Sequence, residues 1–205
     1  MAGEGHRRAV SERVVWRFVN KLLTLGFDPF SSACAGGTVK INIIGTSGSG
    51  KSTFGRRIAE ALAIPYIEMD RLYWRSNWQG TPDDEFLATL EKALAASPDW
   101  VLDGNYNRTR DVKWRDVDLV VWIDRGFIRT LWQAVTRASR RAWHKQELWP
   151  GTGNRESFRR SFLSKDSIII WTIKTWRSNR KRYEADMQNP QYAHIRFLRI
   201  DRKST

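Results

Sequence analysis

Eight consecutive residues, Gly45-Thr46-Ser47-Gly48-Ser49-Gly50-Lys51-Ser52, constrain this chain more than any other feature. They fill every fixed position of the pattern G-x-x-x-x-G-K-[ST], whose chemistry requires those residue types. Glycines let the backbone turn tightly, so that its N–H groups converge on one concavity. A helix opening directly after the loop adds unpaired amides and the positive end of its dipole. Lysine supplies a cation for the β- and γ-phosphates. The serine hydroxyl suits Mg²⁺, which keeps most of its water. The flanks agree with this reading. Val39–Ile44 is a short β-rich run, and Lys51–Ala63 carries Phe54, Ile58, Ala61 and Leu62 on one helical side. A phosphate-binding set of Gly45, Thr46, Ser47, Gly48, Ser49, Gly50, Lys51, Ser52 and Thr53 is therefore expected, for ATP with Mg²⁺, and Lys51 is expected on an exposed loop.

The rest of the chain alternates strands with helices. Pro65–Met69 reads as a strand ending at Asp70, and Asp83–Ala96 as a helix with Phe86, Leu87, Leu90 and Leu94 inward. Trp100–Leu102 leads as a strand into Asp103-Gly104, and Asp118–Ile123 into Asp124. Phe127–Trp143 reads as a helix, Gly151–Asn154 as a loop, Ser157 to about Tyr183 as a helix, and Ile195–Ile200 as a final strand. Such alternation predicts a mostly parallel, five-stranded sheet covered on both faces, the three-layer α/β/α fold of a P-loop NTPase. Its domain spans residues 39–205. Residues 1–38 stand apart: Val14, Phe18, Leu22 and Leu25 recur at helical spacing among Arg7, Arg8, Arg13, Arg17 and Lys21. They predict a basic amphipathic extension and linker.

Charge is unevenly placed. The net charge is +13, yet Arg125–Arg182 alone holds 15 Lys and Arg against Glu147, Glu156 and Asp166. That segment can close over polyphosphate or hold a larger polyanion, so nucleic acid is a possible partner there. A single cysteine, Cys34, excludes a disulfide framework within the chain and makes a reducing, cytoplasmic setting the default. The sequence has no apolar run long enough for a transmembrane helix, and it is compatible with a monomer or a homodimer.

Asp70, Asp103 and Asp124 stand at predicted strand ends, where ligands bind in open α/β sheets. Position alone does not separate their roles. Asp103 is the best candidate to hold the Mg²⁺ shell through water, together with Ser52, because it directly follows an apolar strand and precedes glycine.

At this point the chain resembles the adenylate-kinase-related P-loop kinases, in particular the small topology-modulation or adenylate-kinase-like proteins, and more distantly shikimate kinases. The resemblance spans about Val39–Ile200. It rests on the phosphate loop, on Glu68-Met69-Asp70-x-Leu72-x-Trp74-x-x-x-Trp78, on Val101–Tyr106 and on Gly153–Ser157. It implies a nucleoside-monophosphate-kinase type of phosphotransferase moving the γ-phosphoryl group of ATP to a small acceptor. It implies an acceptor site drawn from Asp70, Arg71, Trp74, Gly104, Asn105, Tyr106 and Arg108, and a helical, arginine-rich lid at about 137–160. Beside Lys51 and Asp103, the catalytic cations it suggests are Arg137, Arg141 and Arg155. The family's proline after Asp-Gly is absent, and the following arginine is one position out of register. Trp74 and Trp78 can stack on a planar acceptor or pack beneath a loop. The alternative to a kinase is a nucleic-acid-associated P-loop ATPase or regulator. A third reading is a nucleotide-binding protein without efficient catalysis.

Overall fold

The computed structural model describes residues 38–144, 147–155 and 167–201. Apart from Thr38, the N-terminal extension lies outside the described residues, as do the start of the last helix at Ser157, Arg159, Arg160, Arg202 and Lys203.

Five strands form one parallel sheet: β1 (Lys40–Ile44), β2 (Tyr66–Glu68), β3 (Trp100–Asp103), β4 (Leu119–Ile123) and β5 (Arg196–Ile200). Their spatial order is β2-β3-β1-β4-β5. The helices are α1 (Lys51–Leu62), α2 (Met69–Tyr73), α3 (Asp83–Ala95), α4 (Arg110–Lys113), α5 (Phe127–Trp143) and α6 (Ile168–Asp186). From β1 the chain runs outward to β2, returns through β3, and then crosses to β4 on the other side. The crevice outside the carboxyl end of β1 is thus the topological switch point, where α/β sheets bind ligands.

Side chains alternate along each strand and both faces are buried, which is why the strands read as nearly continuous apolar runs. Ile41, Ile43, Val101, Leu119, Val121, Ile123 and Leu198 form one core with Ile58 and Ala59 of α1. Ile44, Trp100, Leu102, Val120 and Trp122 form the other with Phe86 and Leu90 of α3 and Tyr183 of α6. Each large side chain buried this way contributes about 1.5–3 kcal/mol. The result is the three-layer α/β/α architecture expected of a P-loop chain. No helix among the described residues is long and apolar enough to cross a membrane.

Helix α5 is built differently. Its buried positions, Thr130, Ala134, Ala138 and Ala142, recur every four residues and are all small. Small side chains let its backbone come close to the loop after β1. A Cβ placed on Gly48 would lie 2.5 Å from the carbonyl oxygen of Thr130.

One boundary differs from the sequence expectation. Pairing of β2 with β3 ends at Glu68 opposite Asp103, so the chain turns into α2 and Asp70 sits in a helical first turn rather than at a strand end. There its carboxylate complements the helix dipole.

Candidate active site

The phosphate loop follows β1 directly. Gly48 has φ 85° and Gly50 φ 92°, left-handed values that favour glycine. Gly50 opens α1 with no side chain capping it. The loop is tightened by Ser49 N–H donating to the Thr46 carbonyl at 3.0 Å and Phe54 N–H donating to the Gly50 carbonyl at 3.0 Å. The first-turn amides of α1 therefore belong to Lys51, Ser52 and Thr53, the geometry that makes a helix N-terminus an anion site. Within the loop the Ser49 hydroxyl is buried and has no hydrogen-bond partner among the described residues. A buried unpaired hydroxyl is uncommon, and phosphate oxygens would satisfy it.

The three candidate carboxylates have different surroundings. Asp103 is 3% exposed. Its Oδ2 accepts a 2.7 Å hydrogen bond from the Tyr66 hydroxyl. Its Oδ1 lacks a hydrogen-bond partner among the described residues and lies 3.5 Å from Lys51 Nζ. Asp124 is held by the Arg199 Nε at 2.9 Å and by Arg180 at 3.5 Å, and Arg199 in turn lies 4.4 Å over the Trp122 ring. Asp70 accepts from the Tyr106 hydroxyl at 2.7 Å. Asp103 thus combines a buried oxygen that accepts no hydrogen bond among the described residues with proximity to the loop lysine. Tyr66 locks its orientation, a partner that the sequence reading missed because the two residues are far apart in the chain.

Lys51 is not on an exposed loop as expected: only 15% of its side chain is accessible. Its ammonium turns inward to the buried Asp103. Burial pulls its pKa down, but Asp103 and then Asp70 outweigh this, against Arg137, and the net shift is upward. The charged form is therefore the one this site favours. Ser52 is half-buried beside it, whereas Thr53 is exposed.

The segment after β3 meets the loop through Asn105. Its side-chain oxygen accepts from Gly45 N–H at 3.0 Å, and its amide nitrogen donates to the Gly45 carbonyl. Both ends of the amide thus contact the first residue of the loop, so the structure places Asn105 against Gly45. Gly104 is buried against Met69: a Cβ there would lie 2.5 Å from the methionine sulfur. Tyr106 packs on Tyr73 and Phe86 with ring centroids 5.0 and 5.1 Å away. Burial first, then Asp70, pushes its phenol pKa upward. The Arg108 guanidinium covers the Tyr73 ring at 4.8 Å and pairs with Asp83 at 2.9 Å. Arg71 is exposed on α2.

Of the cations expected on a lid, Arg137 reaches the loop: its Nη2 donates to the Ser47 hydroxyl at 3.0 Å. Arg141, one turn further along α5, is half-buried, and Arg155 is exposed at an isolated bridge with Glu147. The loop before Arg155 docks on the turn after α2. Asn154 accepts from Trp78 N–H at 2.9 Å and donates to the Arg75 carbonyl at 2.8 Å. Trp74 lies nearly parallel to Trp149 at 6.1 Å, and Trp78 meets both edge-on at 5.8 Å. Trp74 and Trp78 are thus packed beneath a loop. Two of the narrow motifs, Glu68–Trp78 and Gly153–Ser157, meet in space through Asn154.

No protein-family model matches the sequence, and no curated protein matches it. Among solved structures the chain is similar to a gluconokinase from Sinorhizobium meliloti 1021, with 20% identity, a TM-score of 0.47, and coverage of 80% of this chain and 82% of that one. It is also similar to an uncharacterized protein from Eubacterium ventriosum ATCC 27560, with 14% identity, a TM-score of 0.43, and coverage of 80% and 88%. Likenesses this distant carry no functional argument. The fold assignment rests on the strand order and the parallel register, with the glycine-rich loop at the sheet's switch point.

Proposed function

We propose that this chain is an ATP-dependent phosphotransferase of the nucleoside-monophosphate-kinase type, acting on a small acceptor. The observation that carries the reading is the convergence on one loop of three features: an uncapped helix start, the Lys51–Asp103 pair at 3.5 Å, and Arg137 bonded to Ser47. Loop amides and Lys51 bind the polyphosphate. Arg137, with Arg141 and Arg155 on the lid, offsets charge on the phosphoryl group as it moves, because this chemistry depends mainly on positioning and neutralisation. The acceptor oxygen attacks the γ-phosphorus, the bond to the bridging oxygen breaks, and ADP leaves with that electron pair. Asp70, Arg71, Tyr106 and Arg108 border the acceptor side, with Trp74 and Gly104 packed behind them; Asp70, held by Tyr106, orients the accepting group.

Mg²⁺ fits the same residues. No cluster of three or more His, Cys, Asp or Glu that could cage a metal occurs among the described residues. The Oδ1 of Asp103, which accepts no hydrogen bond among the described residues, and the Ser52 hydroxyl suit an ion held mainly by water and phosphate oxygens. Bound there, it would neutralise charge on the β- and γ-phosphates. The test is ADP release over nucleoside monophosphates, hydroxy acids, sugars and nucleic acids. Release that depends on one class of small acceptor is expected, and a folded protein silent with every acceptor overturns the kinase reading.

A second reading rests on the outer face of α5. Trp132 and Trp143 are 68% and 76% exposed, and about three helical turns separate them, so they share one side. Arg129 and Arg140 are exposed on the same helix. Exposed indoles beside guanidinium groups suit single-stranded nucleic acid. Affinity falling steeply with salt, with ATP turnover dependent on that polymer, would favour this reading over a small acceptor.

A further inference from the structure

Two buried polar side chains take no direct part in the site, and both aim at the same backbone atom. Asn42 is the middle residue of β1 and fully inaccessible. Its amide nitrogen donates to the Leu102 carbonyl at 3.0 Å and to the Gly104 carbonyl at 3.4 Å. Its oxygen accepts from the Trp114 indole N–H at 2.8 Å. Lys113, at the end of α4, is 2% exposed, and its Nζ also donates to the Gly104 carbonyl at 3.4 Å. Gly104 N–H donates to the Ile43 carbonyl at 3.3 Å. The residue after Gly104 is Asn105, whose side chain holds both backbone groups of Gly45, the first residue of the phosphate loop.

We propose that Lys113 and Asn42 are positioning residues for phosphate binding, which hold the Gly104 carbonyl so that Asn105 keeps Gly45 in its binding geometry. Burying an amine and an amide in an apolar layer costs free energy unless each is bonded. Methionine and leucine would fill the same volumes without that cost. What the polar pair adds is a fixed peptide orientation between Asp103, beside Lys51, and Asn105, which grips the loop. Each donor to Gly104 is long by itself, so the constraint comes from two donors reaching one acceptor from different elements, β1 and α4. Met69 packed against the glycine closes the remaining side.

The proposal rests on the reading of Gly45–Ser52 as an ATP site, and one set of variants separates the two. Lys113→Met, Asn105→Ala and the double variant are compared with the wild-type chain by calorimetry with ATP and Mg²⁺ and by hydrogen exchange at the Gly45 amide. Lys113→Met is expected to weaken ATP binding by about tenfold, the scale of one lost buried hydrogen bond, and to speed Gly45 exchange. The double variant is expected to bind no more weakly than Asn105→Ala alone, because Lys113 acts through Asn105. Additive losses in the double variant overturn the positioning role, as does unchanged affinity and exchange in folded Lys113→Met. Lys113→Leu, which also removes the donor, carries the same readouts if the methionine variant folds poorly. A folded wild-type chain that does not bind ATP overturns the site reading as well.

Discussion

Replacing Lys113 with methionine should change how stability depends on pH, by an amount that follows from where the amine sits. Its pKa is pushed down to about 7, by burial first and then by Arg110 and Arg182, with Asp186 opposing. Unfolded, the same amine titrates near 10.5. Between these values the unfolded chain holds a proton that the native chain does not. Stability therefore rises with pH across this window and is lost as pH falls toward 7. Where the difference is complete, the slope is about 1.4 kcal/mol per pH unit. The interval from about pH 7.5 to 9.5 lies within this window, and the other titrating groups are common to both chains and largely cancel in the comparison. Tyr66 and Tyr106 are raised from 10.0 and Lys51 from 10.5, so they act above it. Asp118 and Asp186 are raised from 3.8 and act in acid. Across those two pH units the wild-type chain should gain about 2–3 kcal/mol relative to Lys113→Met. Urea unfolding followed by tryptophan fluorescence, for both proteins at three pH values, measures the difference directly. Parallel curves would show that Lys113 keeps its charge in the native state, and the argument from burial would fail.

Other substitutions probe the site itself. Lys51→Ala should abolish ATP turnover and also destabilise the fold by about 1–3 kcal/mol, because buried Asp103 loses its cationic neighbour. An ADP assay beside a thermal melt reads both, and unchanged turnover counts against the site. Arg137→Ala should lower kcat by about a hundredfold with a smaller change in ATP affinity, as expected for charge offset in the transition state; equal losses in both would make Arg137 a ground-state binding residue. Tyr66→Phe frees Oδ2 of Asp103 and should cost about 1–2 kcal/mol in urea unfolding. Asn154→Ala removes both bonds to the Trp74–Trp78 turn, so a red-shifted tryptophan emission is expected, and an unchanged spectrum would show that the turn is held by the indoles alone.

The elements were legible where their cause is local. The five strands and the helices Lys51–Leu62, Asp83–Ala95 and Phe127–Trp143 follow from periodicity and end within a residue or two of expectation. Asp70 was misplaced because strand pairing, not propensity, decides where β2 ends. The contact of Asn105 with Gly45 was not legible, because the two residues lie 60 positions apart. Trp149 gave no sign of joining Trp74 and Trp78. Asn42 inside an apolar strand was a visible signal, a polar residue where the pattern calls for an apolar one.

By itself the sequence determined the phosphate loop, because backbone conformation and amide direction there depend on eight adjacent residues. Tertiary structure alone decided which carboxylate faces Lys51, what holds it, and how the loop is braced. The Arg137–Ser47 bond spans 90 positions and Asn154–Trp78 spans 76. The geometry of such pairs comes from how helices pack on the sheet, and no pattern along the chain encodes it.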